Sequence, residues 1–418
     1  MRAGARSHHD YADRVRTPQE YLVSLLAGIA PLSPVELPIA EVDGCVLAED
    51  VHARWALPSF ANSAMDGYAV RAQDVLSATK DEPTRLRVIE DIPAGSWPSS
   101  VVISGTAARI MTGAPVPQGA DGIVRVEHTD GGMPVVEIHA PAGAHIRTIG
   151  EDVEAGQLVL QHGQVMSART IALAAAVGRG AVRVLPNPRV VVISTGSELV
   201  EPGQMLAAGQ ISDVNGVMLD VCLRDMRATV VRHSVVQDDA MTLGQVLESA
   251  ADDGDLVITT GGVSMGVYDT VKEVLGTLGT VNFEKVAMQP GMPQGFGSIG
   301  AKPTPIVTLP GNPVSALVSF EVFIRPVIRL LQGHAVTDLD RGTVKSGAEF
   351  SSPKDKVQYV RARLDGGKAL TAWPVGAQGS HILGGLAQAD CLLIVPADCE
   401  RVSAGDTLEF IDLRKESR

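Results

Sequence analysis

The sequence predicts a multidomain α/β protein. It reads as a doubly wound, mostly parallel sheet domain, an N-terminal mixed α and β-rich region, and a small C-terminal all-β domain. Three observations carry this. Between 190 and 333, apolar strand text alternates with helix-period text, as in a parallel sheet covered on both faces. From 35 to 150, short strands and turn residues follow one another without long helices. Beyond about 335 no long helix is written, only strand text and turns such as Asp365-Gly366-Gly367. At roughly 150 residues per domain, 418 residues make two to four such parts.

Residues 1–16 read as a loose tail. Thr17-Pro18-Gln19-Glu20 is a capping box with proline at the first helical position, so a helix begins there and ends by Gly28. A second short helix runs from the serine cap Ser167 to the glycine stop Gly178. Leu185-Pro-Asn-Pro-Arg189 marks a domain seam. Val190–Ser194 is a β-branched run, the mark of a strand buried on both faces. Val214, Val217, Met218, Val221 and Cys222 fall on one helical face. Ala228–Val236 reads as a strand, and Asp238–Ala251 as a helix with Leu243, Val246, Leu247 and Ala250 inward. Leu256–Thr260 is a strand, followed by a helix from Asp269 that aligns Val271, Val274, Leu275 and Leu278. Strand-like Val281–Met288 and Ile306–Leu309 come next, then a long helix from Asn312-Pro313 to near Gly333.

Composition excludes several classes. Thirty-five basic residues against 48 acids leave a net charge of −13, so no global attraction for nucleic acid or an anionic membrane is expected. No uncharged apolar stretch approaches the ~18 residues of a membrane helix. Cys45, Cys222, Cys391 and Cys399 form no CxxC pair. With no secretory signal at the N-terminus, a reducing cytoplasm is the expected setting.

Three loops at the carboxyl edge of the expected sheet carry unusual chemistry: Thr195-Gly196-Ser197-Glu198, Thr260-Gly261-Gly262-Val263-Ser264 and Pro310-Gly311-Asn312-Pro313. Glycine admits a phosphate or a flat ring to the backbone, and hydroxyls add donors. Any one loop is equally well a capped strand-to-helix turn, but three on one edge predict a ligand site. None matches a P-loop or a GxGxxG fingerprint. Glu198, Asp238 and Asp269 fall on the same edge and suit Mg²⁺ shared with phosphate oxygens. For Asp238 taken alone, ordinary helix capping is the better explanation.

Taken together, NSAMDGYAV (62–70), RIMTGAPVPQGAD (109–121), STGSELVEPGQ (194–204), ISDVNGVML (211–219), VITTGGVSMGVYD (257–269) and LPGNPVSALVSF (309–320) resemble the molybdopterin molybdenumtransferase family. That family includes the C-terminal domain of gephyrin. GSHI (379–382) and CLLIVPAD (391–398) resemble its C-terminal domain, so the likeness runs in order from about 17 to 412.

The resemblance implies an elongated cytoplasmic homodimer of four-part subunits. It implies parts at 17–60 with 150–186, at 61–149, at 187–334 and at 335–418. The implied reaction transfers molybdenum from molybdate to the dithiolene of adenylylated molybdopterin, releases AMP and depends on Mg²⁺. Thr195, Gly196, Ser197, Gly261, Gly262, Ser264, Pro310, Gly311, Asn312 and Pro313 would hold pterin and phosphates. Glu198, Asp238, Asp269 and Asp66 would be the catalytic acids, with Glu198 and Asp269 on the metal. Asp66, Arg147 and Asp152 would come from the partner subunit, and Lys285, Arg361 and Ser380 would bind the oxyanion. A non-catalytic pterin-binding or scaffold protein is the alternative. In one place the chain departs from the family pattern: KPGKP is replaced here by Gln289-Pro290-Gly291-Met292-Pro293. Two cations are absent, so either the oxyanion site is weaker or it is rebuilt around other groups.

Overall fold

The computed structural model describes residues 15–236, 240–262, 270–278, 281–335, 341–366 and 370–414. The chain divides into two compact units: the described residues up to Val35 with those from Leu185 onward, and Glu36–Val184 between them.

The first unit opens with helix α1 (Pro18–Ala27). The Thr17 hydroxyl accepts from the Glu20 N–H, and the Glu20 carboxylate accepts from the Thr17 N–H at 2.9 Å, which completes the expected capping box. Tyr21, Leu22 and Leu25 bury one face of α1, and the Tyr21 ring meets Phe323 edge-on with centroids 4.9 Å apart. Here the structure differs from the expected division, which grouped 17–60 with 150–186. The apolar face of α1 finds its cover in the unit that begins at Leu185, because Phe323 and Leu331 lie there.

The central sheet has six strands: β1 (Arg189–Thr195), β2 (Thr229–Val236), β3 (Leu256–Thr260), β4 (Asn282–Lys285) and, after the two-residue β5 (Met288–Gln289) treated below, β6 (Pro293–Ile299) and β7 (Thr304–Leu309). Their order is β2-β1-β3-β7-β6-β4. The first three pairings in that order are parallel, and β6 and β4 add antiparallel at one edge. Successive β1 side chains serve opposite cores: Val190 and Val192 join one cluster, Val191 and Ile193 the other. This is the two-faced burial that a β-branched run requires. One face is covered by α1, α2 (Val214–Asp225) and the long C-terminal helix. The other is covered by α3 (Ala240–Asp253) and α4 (Thr270–Leu278).

Helix α2 is rotated from its expected face. Asn215, Leu219, Cys222 and Leu223 are buried, while Val217 and Val221 are exposed. The long helix is α5 (Pro313–Ser319), a π turn at Phe320–Ile324, and α6 (Arg325–Leu331). It widens just ahead of Pro326, whose ring and missing N–H a regular helix interior does not accommodate.

The C-terminal strands β8 (Arg341–Ser346), β9 (Val357–Asp365), β10 (Thr371–Pro374), β11 (Cys391–Val395) and β12 (Thr407–Asp412) close on themselves through the β9–β11 pairing, which leaves no open edge. The two-residue strand β5 adds parallel to β9. The middle unit holds a five-stranded sheet in the order 122–125, 67–70, 106–110, 84–92, 135–138. Its long elements are strands, as the turn-rich text predicts. The four cysteines form no disulfide, and burial pushes the Cys391 thiol up to about 12.

Candidate functional site

The three glycine loops meet in the first unit, and one asparagine joins them. Asn215, 8% exposed on the first turn of α2, donates from Nδ2 to the Thr260 hydroxyl at 2.9 Å and to the Gly311 carbonyl at 2.8 Å. Thr195 Oγ1 donates to the Thr260 carbonyl at 3.4 Å, and the Gly261 N–H to the Leu309 carbonyl at 3.2 Å. Gly261 has φ +91°, and a Cβ there would run into the Thr195 carbonyl oxygen, so the close approach of the first two loops depends on glycine. Asp213 fixes the start of α2 by accepting from the Gly216 N–H at 2.8 Å. The helix therefore turns Asn215 inward, which is why its buried face is offset from the valine stripe.

Glu198 is exposed at the end of the first loop; its carbonyl accepts from the Ile211 N–H at 2.8 Å, and its carboxylate makes no hydrogen bond or ion pair among the described residues. Its carboxylate folds back over Gly196, where a Cβ would lie 2.6 Å from one oxygen. Ser197 is exposed beside it and Gly262 is half-buried. Asp238, Ser264 and Asp269 lie outside the described residues.

The third loop continues into a second feature. The exposed Asn312 donates from Nδ2 to Ser380 Oγ at 3.0 Å, and the Val314 N–H donates to the Ser380 carbonyl at 3.1 Å. Around this junction lies a cleft of about 460 Å³ lined by Gln289, Met292, Asn312, Ser315, Lys356, Ser380 and His381 among others. Buried Gln294 braces the lining residue Gly291, donating to its carbonyl at 2.7 Å and to Ser319 Oγ at 2.6 Å.

The expected trio of Lys285, Arg361 and Ser380 is not brought together as a set of free donors. Ser380 lines the cleft. Lys285 is exposed at the end of β4, opposite Pro293, and is not among the lining residues. Arg361 is 1% exposed and turned inward: Nη1 donates to the Ile382 carbonyl at 2.6 Å, Nη2 to the Ala377 carbonyl at 2.5 Å and Nε to Gln378 Oε1 at 3.4 Å. A buried guanidinium must find acceptors, and here the carbonyls of the 377–382 loop are those acceptors. Arg361 thus positions the loop that carries Ser380.

In the middle unit, the 62–66 turn is pinned from two sides. Asp66 Oδ1 accepts from the Thr112 N–H at 2.6 Å and from its hydroxyl at 2.8 Å, and these bonds hold the Asp66 carboxyl below the usual carboxylate range. Ile146 and Arg147 pair with Ser63 and Asn62 in a short antiparallel ladder, which leaves Arg147 exposed beside the same turn. Asp152 is exposed further along, its N–H donating to the Leu57 carbonyl at 3.0 Å.

Comparison with known proteins explains this combination. Residues 16–178 match the MoeA N-terminal region (domain I and II), 191–330 a probable molybdopterin binding domain, and 343–413 the MoeA C-terminal region (domain IV). Molybdopterin molybdenumtransferase 2 of Mycobacterium tuberculosis is 47% identical over 407 residues, which cover 96% of this chain and 100% of that protein. The chain belongs to the molybdopterin molybdenumtransferase family. The Haemophilus influenzae member is 34% identical over 90% of this chain and 93% of its own length. A crystal structure of a molybdopterin biosynthesis MoeA protein from Pyrococcus horikosii superimposes with a TM-score of 0.77 at 30% identity, over 96% of this chain and 99% of that one.

Within this molybdenumtransferase fold, the residue that sequence reasoning passed over is Asn215. Its signal was present: an amide near the start of a helix inside the string ISDVNGVML, at a position the apolar stripe left on the wrong face. No helix among the described residues is long and apolar enough to cross a membrane.

Proposed function

We propose that this chain inserts molybdenum from molybdate into the dithiolene of adenylylated molybdopterin and releases AMP. The observation that carries this reading is the continuity through Gly311 and Asn312. Gly311 belongs to the corner locked by Asn215, and Asn312 reaches Ser380 in the adjoining cleft. A pterin phosphate on the loops and an oxyanion in the cleft would then lie within reach of each other, the proximity that transfer between two bound reactants needs.

The loops contribute backbone N–H groups, and the cleft contributes hydroxyls and amides. A covalent nucleophile is not required, because the thiolates that receive molybdenum belong to the substrate. Mg²⁺ fits what is present in one respect: Glu198 offers an exposed carboxylate, unpaired among the described residues, and Mg²⁺ takes one or two carboxylates with phosphate oxygens. Among the described residues no group of three or more His, Cys, Asp or Glu side chains could hold a metal alone. Glu198 would hold the ion, and the ion would offset charge on the departing phosphate. We further infer a cytoplasmic homodimer in which Asp66, Arg147 and Asp152 of one subunit complete the site of the other.

The test is incubation of the purified chain with adenylylated molybdopterin, molybdate and Mg²⁺. AMP release and activation of an apo-molybdoenzyme should both depend on molybdate. Binding of the pterin without AMP release would favour a non-catalytic role instead.

A further inference from the structure

The cleft at Ser380 differs from the glycine loops in its charge. Gln289, Asn312, Ser315 and Ser380 bring amides and hydroxyls, and no aspartate or glutamate is among the described residues that line it. In a chain of net charge −13, a hollow whose described lining carries no carboxylate stands apart from its surroundings. Its one permanent cation among the described lining residues is Lys356. Lys356 is half-buried and makes no hydrogen bond or ion pair among the described residues. By contrast Lys354 is exposed and sits 3.6 Å from Glu400.

The backbone fixes where Lys356 stands. The Val357 N–H donates to the Ala287 carbonyl at 2.9 Å, and β5 pairs with β9 through Met288–Val357 and Gln289–Gln358. The segment that lacks two lysines is therefore hydrogen-bonded along the very strand that Lys356 precedes. An ammonium in a partly desolvated hollow without a carboxylate is stabilised when an anion joins it.

We propose that Lys356 supplies the positive charge of this cleft, in place of lysines at Gln289 and Met292, and that the cleft takes a tetrahedral dianion, molybdate. This rests on the molybdenum-insertion reading above. The role belongs to Lys356 because Arg361 is committed to the 377–382 loop and Lys285 does not line the cleft.

Equilibrium dialysis of the full chain against molybdate alone, with metal analysis, tests this in the parent, Lys356→Gln, Lys356→Arg and Lys354→Gln, with AMP release titrated in parallel. Lys356→Gln should weaken molybdate retention and raise the half-saturating concentration about tenfold, the loss of one charge-assisted bond. Lys356→Arg should recover most of that, which separates charge from folding. Lys354→Gln removes the same charge from the surface and should change neither quantity. Equal retention by the parent and Lys356→Gln overturns the proposal. So does an equal loss in Lys354→Gln, or retention of inorganic phosphate in preference to molybdate. A parent that releases no AMP yet loses molybdate on Lys356→Gln would defeat the insertion reading and leave the anion site standing.

Discussion

Asn312 and Ser380 are 68 residues apart in sequence and joined by a 3.0 Å hydrogen bond, with the Ser380 carbonyl held by the Val314 N–H at 3.1 Å. The amide thus ties the end of a parallel-sheet loop to a loop of the closed C-terminal barrel. Removing the hydroxyl should cost little stability, since one partly exposed neutral bond is worth about 1 kcal/mol. Ser380→Ala should keep the melting temperature within about 3 °C of the parent while AMP release falls about tenfold or more. Differential scanning calorimetry and a turnover assay decide it; equal turnover would remove Ser380 from the site.

Arg361 should behave in the opposite sense. Its buried guanidinium donates to the carbonyls at 377 and 382, and a hydrogen bond to a charged group is worth about 1.5–3 kcal/mol. Arg361→Met should lower the melting temperature by several degrees. A loss of molybdate binding with no change in melting would show that Arg361 is a ligand after all.

Glu198→Ala should melt as the parent does and lose AMP release, because the side chain is exposed and unpaired among the described residues. Mixing Glu198→Ala subunits with Asp66→Ala subunits should restore partial activity if the site is shared between protomers. A monomer by sedimentation, or no rescue after confirmed exchange, counts against the shared site.

Asp66 supplies a pH signature. Its folded carboxyl is held low by the Thr112 bonds, so its charge stabilises the fold above the unfolded value of about 4 and ceases to do so as pH falls through the lower folded value. Asp66→Asn keeps the acceptor and removes the charge. The parent should therefore out-melt Asp66→Asn at neutral pH, with the gap closing below about pH 4. A gap that persists at acid pH would point to shape rather than charge.

Gln289 and Met292 line the same cleft as Lys356. Gln289→Lys with Met292→Lys should lower the molybdate concentration for half-maximal turnover by about tenfold, since charge-assisted bonds are roughly twice as strong as neutral ones. Titration of molybdate and tungstate against parent and double variant reads this directly.

Much of this architecture was legible because burial writes itself in periodicity. The run Val190–Ser194, the helix at 240–253 and the capping box at Thr17 each carry their own local signal. Strand β6 had none: Pro293-Gln-Gly-Phe-Gly alternates nothing, because it is an antiparallel member set between β7 and β4 and specified by those neighbours. The inward turn of α2 was hidden for a related reason. Asn215 is buried to hold two loops, and a polar residue buried by function breaks the apolar stripe that locates a helix face. The inward turn of Arg361 was hidden because sequence shows a charge, never the direction in which a side chain points it.

The docking of α1 has a consequence for the order in which the protein is made. Its buried Tyr21 rests on Phe323, with the whole of the middle unit encoded between them. At ribosomal speeds of about 5–20 residues per second, α1 waits about 15–60 s for the helix that covers it. A ten-residue helix alone is marginal in water, so a helix made early is among the last elements to become permanent. During that interval, the apolar face of Tyr21, Leu22 and Leu25 is a surface for chaperones to hold, and a newborn chain arrested before Phe323 should be cut by protease within its first thirty or so residues.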